Sequence, residues 1–479
     1  MEVSQFFWFI LPIIPIIFFV HKLIKSKASG PAVGKNKAPP GGRYISESLI
    51  YYSKLKKGML YEFMKERMDK FSAKIFSTSL AGQPVVALCG PEGNKFLFSN
   101  ENKLVKLWWP ATLEKLLPMS DNQPAREHLK GIRKSVLLFF LKPDALREYV
   151  GTMDAVMKQH LETHWAGKDQ IKVVDIANMY TLALASNFFL GMDYQNNIEM
   201  EQLVEGMDEI ESAIFGLPIN LPGTTLNRGI RASRILRSKM EEIIQRRKAH
   251  LLLPPRKDFI SHFLTAVDEN GESYKDSDIA TLLVGMLGAS STTFKLTITM
   301  VMKVLADMPN VYESLLKEQL EIAQSKGPTE KLSWDHIRMM KYSWNVVCEV
   351  LRLYPSGVGG IKEAMTDFTY EGYTVPKGSK ILWSLHATHR NPKFFENPDK
   401  FDPTRFEGDG PAPYTYIPFG GGSRMCPGNE YVRLAILTFI HYAVTRFEWQ
   451  KLIPEEEILH HPLPHPAQGL PIRLSPRQF

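Results

Sequence analysis

One ten-residue segment constrains this chain more than any other: Phe419-Gly-Gly-Gly-Ser-Arg-Met-Cys-Pro-Gly428. It sets Cys426 on a glycine-rich turn, just ahead of a helical pattern from about Pro427 to Thr445. Backbone N–H groups and the helix dipole at such a point favour a thiolate over a thiol. Gly422 and Gly428 let the backbone come close to a flat ligand. Arg424, two residues before the cysteine, can neutralise a carboxylate on that ligand. Burial as an inert thiol is the ordinary fate of a lone cysteine. That reading suits Cys89 and Cys348, which lack this context, better than Cys426. Three widely spaced cysteines without C-x-x-C make neither a disulfide framework nor a zinc site.

At the other end of the chain, Val3–Val20 carries no charged side chain. As a helix it would be about 27 Å long, enough for an endoplasmic-reticulum-type bilayer. Lys22, Lys25 and Lys27 follow it and only Glu2 precedes it, which predicts a cytosolic body. A non-basic start and the lack of an A-x-A site argue against a cleaved signal peptide. Pro39-Pro40-Gly41-Gly42 closes a stiff Lys/Gly/Pro-rich stretch. The expected organisation is a membrane anchor at 1–27, a linker at 28–45 and a catalytic body at 46–479. Within the body, Ile75–Leu80 and Pro84–Leu88 read as a hairpin about Ala81-Gly82-Gln83. Helical periodicity marks Ala125–Phe140, Pro143–Glu162, Asn227–Leu252, Asp276–Met308 and Met340–Leu353. The fold class is therefore mainly α with a minor β part. With 44% hydrophobic and 23% charged residues the body can bury a core. A net charge of +7 without a Lys/Arg block gives no nucleic-acid footprint.

The cysteine segment fits F-x-x-G-x-R-x-C-x-G at every fixed position and resembles the haem-binding loop of the cytochrome P-450 superfamily. Glu349-Val-Leu-Arg352 resembles the family's E-x-x-R helix, whose i,i+3 spacing puts both side chains on one face. Phe401-Asp-Pro-Thr-Arg-Phe406 resembles its P-x-R-F element. The resemblance implies a cytochrome P-450 fold preceded by a single N-terminal transmembrane helix. It implies haem b, with Cys426 as axial iron ligand and Phe419 and Gly428 beside it. It gives Glu349, Arg352 and Arg405 a structural role as a buried triad, and Arg424, Arg133 and Lys362 the haem propionates. Leu129 stands where that family usually has Trp in the helix carrying Arg133.

The long helix near residue 290 departs from the family pattern. An acid–alcohol pair is expected there, yet the chain reads Gly288-Ala-Ser-Ser-Thr-Thr-Phe294. Thr293 matches the alcohol, and Thr292 replaces the acid. No Asp or Glu lies between Asp278 and Asp307. A hydroxyl can relay a proton through water but cannot supply a carboxylate's charge. Thr293 and Thr292 are the candidate catalytic residues. Helix Ser and Thr more often bond the i−4 carbonyl, the expectation for one or two of this run.

Pro411-Ala-Pro-Tyr-Thr-Tyr-Ile-Pro418, Lys451-Leu-Ile-Pro454, Leu217-Pro-Ile-Asn-Leu-Pro-Gly223 and Ala467-Gln-Gly-Leu-Pro471 are similar to the plant β-amyrin 28-oxidase type, with taxane hydroxylases as near relatives. The resemblance implies a single-pass enzyme of the endoplasmic reticulum membrane in plant triterpenoid biosynthesis. It would oxidise a small apolar terpenoid with O2 and electrons from an NADPH-cytochrome P-450 reductase. Gly357-Val-Gly-Gly360 suggests extra room near the haem, and Phe294 a narrowed opposite wall. The altered helix leaves two alternatives: an isomerase needing no reductase, and a catalytically silent haem protein that binds a terpenoid.

Overall fold

The computed structural model describes residues 37–42, 44–72, 74–118, 140–192, 197–214, 216, 218–249, 258–265, 267, 273–327, 330–460 and 463–477. The expected anchor at 1–27, Arg133, and most of the expected helix Ala125–Phe140 lie outside these residues.

In chain order the elements begin with α1 (Ile45–Lys56), α2 (Leu60–Lys70), β1 (Ile75–Leu80), β2 (Gln83–Leu88), α3 (Gly90–Ser99), β3 (Val105–Leu107) and α4 (Ala111–Leu116). There follow α5 (Pro143–His164), β4 (Gln170–Lys172), α6 (Val173–Leu190), α7 (Asn197–Ile214), α8 (Thr225–Ala249), α9 (Phe259–Thr265) and α10 (Asp276–Asp307). Next come α11 (Pro309–Ser325), α12 (Trp334–Met339), α13 (Lys341–Leu353), β5 (Gly360–Ala364), β6 (Phe368–Tyr370), β7 (Tyr373–Val375), β8 (Lys380–Trp383) and α14 (His386–His389). The last are α15 (Asn429–Arg446), β9 (Phe447–Lys451), β10 (Ile458–His460), β11 (Pro464–Pro466) and β12 (Pro471–Pro476). Two 3-10 turns, Pro403–Phe406 and Gly422–Arg424, punctuate the stretch before α15.

The chain divides into two compact units. The first takes residues up to Trp108, Val358–Asp399 and Pro411–Met425. Its sheet runs β1-β2-β8-β5-β3. The β1–β2 hairpin pairs Ile75 with Leu88 and Leu80 with Gln83. Ala81 and Gly82 take left-handed φ of 48° and 76°, the geometry of a tight two-residue hairpin turn. β2 runs parallel to β8, while β5 is antiparallel to both β8 and β3. Ile75, Val86, Leu88, Val105 and Ile381 bury one core against Leu97 and Phe98 of α3.

The second unit comprises Trp109–Gly357, Lys400–Gly410 and Cys426 onward. Its centre is α10, packed against α6, α8 and α13. α6 is buried on nearly every side, as suits a helix apolar all round. α6 and α10 are long and apolar enough to cross a membrane, but 78% and 67% of their apolar windows are buried inside the unit, as in core helices. α7 and α8 lie unusually close: a Cβ on Gly229 would sit 2.2 Å from Ala213 Cβ. That approach fixes α7 against α8, which in turn packs on α10.

The described residues are thus mainly helical with a minor β part. Expected and observed elements agree to within three residues for the hairpin, α5, α8, α10, α13 and α15.

Candidate functional site

α15 begins at Asn429, and its N-cap, Gly428, has no side-chain capping bond. The Glu430 N–H is taken by the Asn429 side-chain oxygen at 2.7 Å, and the helix start otherwise leaves its first N–H groups without partners inside the helix. Cys426 lies two residues ahead and is exposed, whereas Cys89 and Cys348 are buried. Burial pushes the Cys89 thiol up to about 12, so it remains protonated. A Cβ on Gly428 would stand 3.8 Å from Cys426 Sγ; glycine leaves that flank of the sulfur clear. Phe419 is half-buried. Gly422 has a different task from the one its sequence context suggests. Its φ is +67°, and a Cβ there would lie 2.3 Å from the Phe98 carbonyl oxygen. The glycine serves a close approach of two backbone segments within the first unit.

In the first unit, Lys362 on β5 donates to Glu101, just beyond α3, with both side chains almost wholly buried. Arg424 in the second 3-10 turn brings its Nε to 3.9 Å from the other Glu101 oxygen. That oxygen is buried and accepts no hydrogen bond among the described residues. Two of the three cations expected at the propionates, Lys362 and Arg424, thus converge on one carboxylate. Lys362 is enclosed, while the Arg424 side chain keeps 37% of its surface. The glycines at 359 and 360 do not open space: a Cβ at Gly360 would meet the Trp383 ring nitrogen at 2.8 Å.

In the second unit, Glu349 and Arg352 form a two-pronged pair, 2.7 Å at each prong and fully buried. Arg405 Nε stands 3.4 Å from Glu349, and Asp402 N–H donates to the same oxygen at 2.9 Å. Arg352 also donates to the Lys400 carbonyl. The structure brings Glu349, Arg352 and Arg405 together, tying α13 to the first 3-10 turn.

On α10 the hydroxyls divide. Ser290 donates to the Met286 carbonyl at 2.8 Å and Ser291 to that of Leu287 at 2.9 Å, the i−4 pattern expected for some of the run. Thr292 instead donates across to Glu211 Oε2 on α7 at 3.1 Å. Thr293 is half-buried, and its side chain makes no hydrogen bond among the described residues. Lys295 Nζ holds Glu211 at 3.0 Å and Asp208 at 2.8 Å. Burial disfavours the ammonium, but the two carboxylates more than offset this and raise its pKa. Phe294 is buried and packs edge-on against Tyr180 of α6, so it narrows no open wall.

Glu211, Asp208 and Glu101 escape the sequence reading. The signal for the first two was Lys295, a lone cation in a long apolar helix that requires a carboxylate partner once buried. Nothing local marks Glu101, whose partner is 261 residues away.

The residues at hand fit an iron porphyrin. The second unit offers an exposed thiol just ahead of a helix N-terminus with a glycine beside the sulfur, and the first unit offers an arginine with exposed surface for an acidic side chain. A sequence profile of the cytochrome P450 family matches residues 39–469. The beta-amyrin 16-beta-monooxygenase of Platycodon grandiflorus is 45% identical over 98% of each chain. The beta-amyrin 28-monooxygenase of Kalopanax septemlobus is 45% identical, over 96% of this chain and 95% of that one. Among solved structures, the retinoic acid-bound cyanobacterial CYP120A1 superposes with a TM-score of 0.80 at 28% identity, over 92% of this chain and all of that one.

Proposed function

The chain belongs to the cytochrome P450 family, and on that premise we propose that it is a haem-thiolate monooxygenase oxidising a cyclic triterpenoid, anchored in the endoplasmic reticulum membrane by residues 1–27. O2 and a triterpenoid are the substrates, with electrons supplied by an NADPH-dependent reductase. Two relatives of equal identity act, by their names, on positions 16 and 28 of one substrate, β-amyrin. Overall similarity therefore supports the triterpenoid class and leaves the carbon open.

Cys426 carries this reading. Its sulfur would ligate the iron, with Phe419 and Gly428 beside it, and the N-terminus of α15 would stabilise its thiolate form. Haem held by a thiolate supplies iron chemistry that favours O–O cleavage. Arg424 would take a propionate, helped by Lys362 from its enclosed position, and Arg133 a second. Glu349, Arg352 and Arg405 would keep the region ahead of the cysteine loop in place. Thr293, with Thr292, would hand protons towards O2.

The test is product mass spectrometry under isotopically labelled oxygen gas, in cells co-expressing a plant reductase and fed a panel of cyclic triterpenes. One labelled oxygen in the product supports the reading. A product of unchanged mass points to isomerisation and sinks it. In parallel, Cys426→Ser should abolish the thiolate signature of the reduced carbon-monoxide spectrum.

A further inference from the structure

We propose that Glu211 supplies, from α7, the carboxylate that α10 lacks, and that Glu211, Thr292 and Thr293 form one proton relay. The proposal rests on the reading that the 292–293 hydroxyls serve O2 reduction. Thr292 occupies the position of the missing acid, and its hydroxyl reaches Glu211 Oε2 at 3.1 Å. The acid is therefore present in space, though not in the helix sequence.

The charges around it favour this use over a plain clamp. Among the described residues, Lys295 is the cation that faces Glu211 and Asp208, with its side chain only 10% exposed. Two carboxylates against one ammonium leave one negative charge in excess. Asp208 lies in addition within 3.4 Å of Asn178 Nδ2 through both oxygens. Glu211 is the member that touches Thr292, and its side chain keeps 23% of its surface. It thus meets solvent on one side and the hydroxyl on the other. In one cycle Glu211, protonated from solvent, gives its Oε2 proton to the Thr292 oxygen as Thr292 passes its own through a water to Thr293, and Thr293 releases its own hydroxyl proton to the oxygen being reduced. The net movement is one proton from water to the site, with the relay unchanged. Lys295 keeps the carboxylate aimed and tempers its charge.

Glu211→Gln preserves size and hydrogen bonding but removes the proton donor. Asp208→Asn removes a charge from the same cluster without touching Thr292. Both would be assayed with β-amyrin and a plant reductase, after haem content and thermal midpoint are matched to wild type. The expected result for Glu211→Gln is about a tenfold or greater fall in product per NADPH, with matching release of hydrogen peroxide and a larger solvent deuterium isotope effect. Asp208→Asn should stay near wild type. Thr292→Asp added to Glu211→Gln should restore coupling by returning the acid to α10. Without turnover, infrared difference spectra across pH should show a carboxyl band that Glu211→Gln lacks and that Thr292→Val shifts. Unchanged coupling and isotope effect in Glu211→Gln would overturn the proposal. So would equal losses in both single variants with a lowered thermal midpoint, the mark of a clamp. Failure of wild type to incorporate labelled oxygen would instead remove the monooxygenase reading, and this inference with it.

Discussion

At the scale of single residues, the structure separates what sequence neighbours reveal from what they conceal. Glu349 and Arg352 are three positions apart on one helix, so their pairing is legible before any fold is known. Glu101 and Lys362 are not, because the strand pairing of β3 with β5 is what brings their segments together. Their burial makes that pair a sensitive point. Glu101→Gln strands the Lys362 ammonium in a place from which water is nearly excluded. Removing one partner of such a pair costs about 3–5 kcal/mol. The expected outcome is a marked drop in the thermal midpoint and weaker haem retention. Glu101→Gln with Lys362→Met, which removes both charges, should recover most of the loss. An unmoved midpoint in the single variant would show that Lys362 reaches water or another anion. The same logic explains why the sequence marks Cys426 but not Glu211. The cysteine's context is local, whereas the glutamate acquires meaning only when α7 is laid beside α10.

At the scale of elements, periodicity locates helices that present one apolar face and says less about helices buried all round. α6 has almost no polar face, so it merges into a helical stretch without distinct bounds in the sequence. The β1–β2 hairpin is legible because its turn residues demand a left-handed backbone. The junction between α13 and the Pro403–Phe406 turn depends on one carboxylate. Glu349 accepts both prongs of Arg352, the Asp402 N–H and the approach of Arg405. Lysine cannot reproduce the planar two-pronged donor. Arg352→Lys should therefore lose about 1.5–3 kcal/mol, the range for hydrogen bonds to charged groups. Arg405→Lys should lose less, since its Nε stands 3.4 Å away and is 13% exposed. Denaturant titration of the two variants, compared at equal haem content, checks the order. The reverse order would place the anchor of this junction on Arg405.

At the scale of the whole molecule, the sequence foresaw a mainly helical body with a small sheet component. It could not foresee the chain returning repeatedly to each of two units, because that depends on strand pairings such as β2 with β8, far apart in sequence. One bulk property now follows from the interior of the second unit. Burial holds the imidazoles of His441, His160 and His164 below their usual range, His441 at about 3. Nearby cations act in the same direction: Lys168 on His160 and His164, and Lys326 on His441. His441 sits in a buried chain in which Gln319 donates its amide to Ser343 at 2.7 Å. The Gln319 oxygen therefore faces His441 Nδ1 at 2.8 Å and receives its proton in the neutral ring. Above pH 6.5 these histidines are neutral whether the chain is folded or unfolded, and they add no pH dependence. Below it the unfolded chain takes up protons that the folded chain refuses. Stability must then fall as pH drops from 6.5 towards 3, by up to about 1.4 kcal/mol per pH unit for each fully buried ring. Denaturation midpoints of the holoenzyme between pH 8 and pH 4.5 should be level at first and then decline. His441→Gln removes one titrating ring and should flatten the slope between pH 5.5 and 4.5 by about 1.4 kcal/mol per unit. A slope identical to wild type would mean that His441 is protonated in the fold, and that the Gln319 oxygen shares a charged rather than a neutral hydrogen bond.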